Sequence, residues 1–171
     1  HSCCQSVLAA QVVVHVDAFT TRHRFEASAV RLWVVTEEAA HRTLATVPFT
    51  SEHLRRLLEH LDGVEVVGEA DDGERAVARA TRLRPDLVLM DVAMGAVNGI
   101  EALTRLRESA PDVRVMMLSM HNTLDTVMQA LRFGACGYLL KSAEAVELEL
   151  AIRAAMRGER YLSPPIAKLL V

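Results

Sequence analysis

Residues 85–91 read Pro-Asp-Leu-Val-Leu-Met-Asp. Four consecutive apolar residues, with a proline before them and an acid after, predict a short strand buried on both faces. A strand with one wet face would alternate apolar and polar residues instead. The same pattern recurs at 43–47, 64–68, 113–118 and 137–140. Between these runs the spacing changes to three and four. Leu54, Leu57, Leu58 and Leu61 share one stripe; so do Ala76, Val77 and Ala80, then Ala102, Leu103 and Leu106, then Val127, Ala130 and Leu131. That periodicity predicts helices over 51–61, 73–83, 99–108, 123–133 and 144–157. Pro85, Gly95, Pro111 and Gly134 punctuate the alternation.

Strand and helix in strict turn give an α/β fold, a doubly wound parallel sheet, and five strands point to its flavodoxin-like form. Residues 1–40 lack this order. Gln11-Val12-Val13-Val14-His15-Val16 and Leu32-Trp33-Val34-Val35 are each compatible with a strand, and Thr20-Thr21-Arg22-His23-Arg24 reads as loop. Thr36 could cap a helix with Glu37 and Glu38 in its first turn. The expected division is an N-terminal extension at 1–40, one domain at 41–160, and the start of a linker helix at 161–171.

Composition narrows the class. The 171 residues are 51% hydrophobic and 24% charged, which excludes global disorder. A formal net charge of −3 gives no footprint for nucleic acid. No apolar run approaches the roughly 20 residues that span a bilayer, so no membrane partner is expected. Three cysteines, Cys3 and Cys4 adjacent, make no disulfide framework, and a reducing, cytoplasmic setting fits. His1, Cys3, Cys4 and His15 match no zinc spacing. Cys136 lies where a small residue is wanted in a turn. There is no glycine-rich nucleotide loop.

In a wound parallel sheet, ligands bind beyond the carboxyl ends of the strands. There the apolar runs end at Asp91, at Ser119 and at Lys141-Ser142. Alone, each is most often a turn residue or a solvated charge. Together, at successive strand ends, a carboxylate, a hydroxyl and an ammonium point to a site.

Residues 64–163 resemble the receiver domain of two-component response regulators of the NarL/FixJ (LuxR-type) family. The matching stretches are Val-Glu-Val-Val-Gly-Glu-Ala (64–70), Pro-Asp-Leu-Val-Leu-Met-Asp (85–91), Asn-Gly-Ile-Glu-Ala (98–102), Met-Leu-Ser-Met-His (117–121), Phe-Gly-Ala-Cys-Gly-Tyr-Leu-Leu-Lys (133–141) and Arg-Gly-Glu-Arg-Tyr-Leu-Ser-Pro (157–164). The resemblance implies that Asp91 accepts a phosphoryl group from a sensor histidine kinase. It implies that Lys141 contacts the phosphoryl oxygens, that Ser119 bonds to one of them and moves its loop, and that Tyr138 is the aromatic that follows. It also implies Mg²⁺, held by Asp91, by the backbone carbonyl of Ala93 and by an acidic pair after the first strand.

That pair is displaced or missing. Counting back from Leu54-Arg55-Arg56-Leu57-Leu58, the acids should fall near Thr46-Val47, which are neutral. This register takes 43–47 as the first strand and is the one the loop length favours. A second register takes Leu32-Trp33-Val34-Val35, offers Glu37 and Glu38, and needs about eight more residues than the usual 2–6 before the helix. A third takes 12–16, with Asp17. Met94-Gly95-Ala96 stands where the family usually has Met-Pro-Gly. In the first register Mg²⁺ binds poorly, and the domain becomes an atypical pseudo-receiver that dimerises or binds a partner without phosphorylation. An enzyme on the same scaffold, such as a phosphatase with an Asp nucleophile, lacks a second acid near Asp91 and is not expected. His121 lies beside the switch loop, where an exposed histidine is the ordinary reading. The apolar-polar mix around Met128 to Phe133 and Tyr138 suits a homodimer. Ile166-Ala167-Lys168-Leu169-Leu170-Val171 looks like the start of the linker, so DNA is expected only through a domain absent from this chain.

Overall fold

The computed structural model describes residues 12–14, 30–35, 51–70, 72–94 and 97–170. Its strands are β1 (Val12–Val14), β2 (Val30–Val35), β3 (Val64–Ala70), β4 (Leu87–Asp91), β5 (Arg114–Ser119), β6 (Gly137–Leu140) and β7 (Tyr161–Leu162). Its helices are α1 (Ser51–Glu59), α2 (Gly73–Leu83), α3 (Gly99–Ser109), α4 (Leu124–Arg132), α5 (Ala145–Met156) and α6 (Pro164–Leu169). The sheet runs β3-β2-β1-β4-β5-β6-β7, with β2 also paired directly to β4. The parallel core, β3-β2-β4-β5-β6, has the expected doubly wound order. Two short strands enlarge it: β1, antiparallel to β2 and β4, and β7, parallel to β6.

The continuous apolar runs are continuous because helices cover both faces. Leu87 and Leu89 pack with Met116, Leu118 and Leu139 against Leu54 and Leu58 of α1 and Leu148 and Ile152 of α5. Val88 and Met90 turn the other way, joining Val115, Met117 and Tyr138 against Ala76 and Ala80 of α2, Leu103 and Leu106 of α3 and Val127 of α4. Each leucine so buried contributes roughly 1.5–3 kcal/mol. Helix starts are fixed locally. The Asp72 carboxylate accepts from the Arg75 N–H at 2.7 Å, and Asn98 Oδ1 accepts from the Glu101 N–H at 2.9 Å, each satisfying an otherwise orphaned donor.

The first strand of the parallel core corrects the favoured register. The position between β3 and β4 is held by Val30–Val35, parallel to both, with Val30 opposite Val64 and Val35 opposite Met90. The alternative at 43–47 lies outside the described residues. The sheet therefore extends into the stretch assigned to an N-terminal extension. The physical reason is composition. Val-Arg-Leu-Trp-Val-Val carries three valines, a leucine and a tryptophan, which suit a strand buried on both sides better than Thr-Leu-Ala-Thr-Val does. The connection to α1, residues 36–50, is correspondingly long for this kind of fold.

Cys136 precedes β6, half-buried. Burial pushes its thiol up to about 12, against the pull of Arg114, its own backbone amide, Arg107 and Arg160. A protonated thiol is a poor nucleophile. Alkylation at neutral pH, followed by peptide mass mapping, should modify Cys136 at least about tenfold more slowly than the same peptide in denaturant. Val34→Pro should lower stability by at least about 2 kcal/mol in urea denaturation, because a central strand cannot spare an amide donor. An unchanged midpoint would give the central position to another segment.

Candidate functional site

Asp91, Ser119 and Lys141 come together at the carboxyl ends of three neighbouring strands. β4 and β5 pair with Asp91 opposite Leu118, and β5 and β6 pair with Ser119 opposite Leu140. Each residue is therefore the last of its strand or the next one on, which places all three on one lip. Asp91 Oδ2 is bonded to the Lys141 ammonium, and the two side chains are only 2% and 1% exposed. The other carboxylate oxygen, Oδ1, accepts from the Ala93 N–H at 3.1 Å. The Lys141 N–H donates to the Ser119 carbonyl at 2.8 Å, and the Val92 N–H to the Leu118 carbonyl at 2.8 Å. Backbone bonds thus extend the ladder past the strand ends and hold the lip rigid.

The loop after β5 is organised around the peptide groups of His121. Its N–H donates to Ser119 Oγ at 3.0 Å, and its carbonyl accepts from the Tyr138 hydroxyl at 3.1 Å. The His121 side chain itself is exposed, as expected. Tyr138 is fully buried. Burial pushes its phenol above the ordinary value, the Ser119 hydroxyl opposes that, and the Asp91 carboxylate adds to it. The aromatic is therefore already inside, in electrostatic reach of the carboxylate.

Sequence reading overlooked Gly99. It opens α3, and a Cβ there would lie 2.0 Å from the Asp91 carbonyl oxygen and 3.0 Å from Met117 Cε. Its N–H donates to the Val92 carbonyl at 3.1 Å. Glycine is required because α3 starts against the backbone of the candidate acceptor. The available signal was glycine directly after a capping asparagine.

The metal ligands fare differently. Asp91 and Ala93 are together, but the contact between them is an amide N–H on a carboxylate. Glu37 and Glu38 lie outside the described residues. β2 ends at Val35, opposite Met90 and so one residue short of the level of Asp91. Among the described residues no group of three His, Cys, Asp or Glu could hold a metal ion. One carboxylate, tied to an ammonium, does not by itself fit Mg²⁺, which demands octahedral oxygen. Gly95 and Ala96, Asp17, and the His1, Cys3, Cys4 and His15 set are also outside the described residues. Two acids near the end of β3 have structural partners: Asp72, after the strand, caps α2, and Glu69, within it, pairs with Arg55 at 2.9 Å. No helix among the described residues is long and apolar enough to cross a membrane.

The profile of the response regulator receiver domain matches residues 47–153, beginning after β2. Response regulator GacA of Pseudomonas viridiflava is 41% identical over 117 residues, 68% of this chain and 55% of that protein. Response regulator UvrY of Escherichia coli K12 is 39% identical over 115 residues, 67% of this chain and 53% of that protein. The crystal structure of a LuxR-family two-component response regulator from Aurantimonas sp. SI85-9A1 superposes with a TM-score of 0.69 at 33% identity, covering 78% of this chain and 90% of that one. The chain spans about half the length of the curated relatives it matches.

Two substitutions test the geometry. Gly99→Ala should cost at least about 2 kcal/mol in denaturant unfolding, since backbone must move to admit the methyl group. Lys141→Ala should cost about 3–5 kcal/mol by leaving a buried carboxylate without its cation. In a double-mutant cycle, Asp91→Asn with Lys141→Met should cost less than the two single changes summed, by more than about 1 kcal/mol.

Proposed function

The chain belongs to the response regulator receiver domain family, and on that premise we propose that Asp91 is its phosphoacceptor. The observation that supports this most is the meeting of carboxylate, hydroxyl and ammonium on one buried lip. A carboxylate oxygen of Asp91 attacks the phosphorus of a phosphohistidine on a sensor kinase. The P–N bond breaks, the imidazole leaves and takes a proton, and an acyl phosphate remains. Lys141 offsets the added charge, having to shift only from carboxylate to phosphoryl oxygen. The Ser119 hydroxyl can turn from the His121 N–H toward the same group. Its loop then moves, with the Tyr138 hydroxyl bound to that loop's backbone. A charge change at one point becomes a change of surface.

The domain would act on transcription through a DNA-binding domain outside this chain, and as a homodimer. Apolar side chains available for such contacts are Leu124 and Phe133 on and beside α4, and Val146 and Leu150 on α5. Asp91 would hold Mg²⁺ with Glu37 and Glu38 as candidate further ligands, and the ion would supply positive charge that offsets the repulsion of carboxylate and phosphoryl donor.

A second reading has an observation of its own. Among the described residues no group of three His, Cys, Asp or Glu stands ready to hold a metal ion beside Asp91, which favours a pseudo-receiver working without phosphate. Incubation with a small phosphodonor and Mg²⁺, followed by intact mass, separates the two. A gain of one phosphoryl group in the native chain, absent in Asp91→Asn, is the expected result. A folded chain that gains nothing establishes the second reading. Glu37→Gln with Glu38→Gln should slow the gain at least about tenfold if those acids hold the ion.

A further inference from the structure

The C-terminal segment is built into the edge of the sheet. β7 runs parallel to β6, with Gly137 opposite Tyr161 and Tyr138 opposite Leu162. The strand can approach this closely because residue 137 has no side chain: a Cβ there would lie 2.7 Å from the Tyr161 carbonyl oxygen. Ser163 follows, 1% exposed. Its N–H donates to the Tyr138 carbonyl at 3.0 Å. Its hydroxyl accepts from the Leu140 N–H at 3.1 Å and donates to Glu147 Oε1 in the first turn of α5. Glu147 also faces the Tyr161 phenol, which is held above its ordinary value by burial and then by that carboxylate. Beyond the serine, Ile166 of α6 is fully buried in the cluster that contains Tyr138 and Val127.

Leu140 is the residue before Lys141. Its N–H lies past the two residues of β7, so no strand remains to accept from it, and the serine hydroxyl takes that place. We propose that Ser163 and Glu147 form a latch that positions Lys141 and passes the state of Asp91 to residues 161–169. The inference rests on Asp91 being the phosphoacceptor. Lys141 is tied to the Leu140 N–H through one planar peptide and the Leu140 Cα. A Lys141 drawn toward phosphoryl oxygens pulls on that peptide, turns the backbone at Leu140 and so alters the bond from the Leu140 N–H to Ser163. The coupling is reciprocal: loosening the latch must change how tightly the lip holds a phosphoryl group. Ser163 and Glu147 touch no reacting atom and are positioning residues. What they hold on the far side is β7 and the start of α6.

Hydrogen exchange by mass spectrometry on the full chain tests this, with and without beryllofluoride and Mg²⁺ as a phosphoryl mimic. In the unliganded protein, Ser163→Ala and Glu147→Ala should each raise exchange at Leu140 and across 161–169 by about tenfold, leaving α2 and α3 unchanged, and Ser163→Thr should restore it. Exchange no faster in either variant overturns the latch. Should one variant fail to fold, the other carries the same comparison. In the native chain, beryllofluoride should shift exchange at 119–123 and also at Leu140 and 161–169. In the latch variants only 119–123 should respond. A native response confined to 119–123 overturns the passing of state. No response anywhere, matching Asp91→Asn, removes the phosphoacceptor reading and the relay together, while the unliganded comparison still decides whether the latch positions Lys141.

Discussion

Two opposite charges, Asp91 and Lys141, are held out of water against each other at the lip of an apolar sheet. In such surroundings neither can be left alone, since an unpaired buried ion costs several kcal/mol. The pair therefore constrains everything near it. β4 and β6 must end at matching heights on either side of β5. The helix entering over Asp91 must start with a residue that has no side chain, hence Gly99. Both carboxylate oxygens are engaged, one by the ammonium and one by the Ala93 amide. A site stabilised in this way is also poised, because an incoming dianionic group offers Lys141 a stronger partner than the one it has.

The response to such a group is built from peptide groups more than from side chains. His121 bonds to Ser119 through its N–H and to Tyr138 through its carbonyl. Two hydroxyls from neighbouring strands are thereby referred to one backbone unit. Moving either must move the loop between β5 and α4. The exposed imidazole takes no part in these bonds.

Much of this was legible in the residues. The expected helix at 73–83 and strand at 137–140 coincide with α2 and β6, because a capping Asp72, an alanine-rich stripe and a glycine-bounded apolar run are local signals that agree with the tertiary demand. The lip was legible for the same reason: a parallel sheet forces the polar residue after each apolar run to the same edge, so Asp91, Ser119 and Lys141 had to meet. The first strand was not. The segments 12–16, 32–35 and 43–47 all have strand-like composition, and both Val30–Val35 and Val12–Val14 pair along β4, so strand-like composition alone did not single one out. Loop length argued for the nearest candidate, whereas the parallel strand paired with both β3 and β4 is Val30–Val35. His121 and Ser163 were illegible for another reason. They act through an amide, a carbonyl and a small hydroxyl, groups whose neighbours exist only after folding.

The shortness of β7 has a consequence for the behaviour of the molecule in a crowded solution. A sheet that stopped at β6 would present Gly-Tyr-Leu-Leu, four buried apolar residues with unsatisfied amides, as a template for any passing extended chain. Two residues of β7 and the hydroxyl of Ser163 occupy those donors and acceptors, and a cap this brief offers too few of its own to recruit another strand. The stretch that carries Ser163 therefore guards the sheet against fibrillar self-association. A truncation placed just before Tyr161 would exchange a signalling module for an aggregation-prone one.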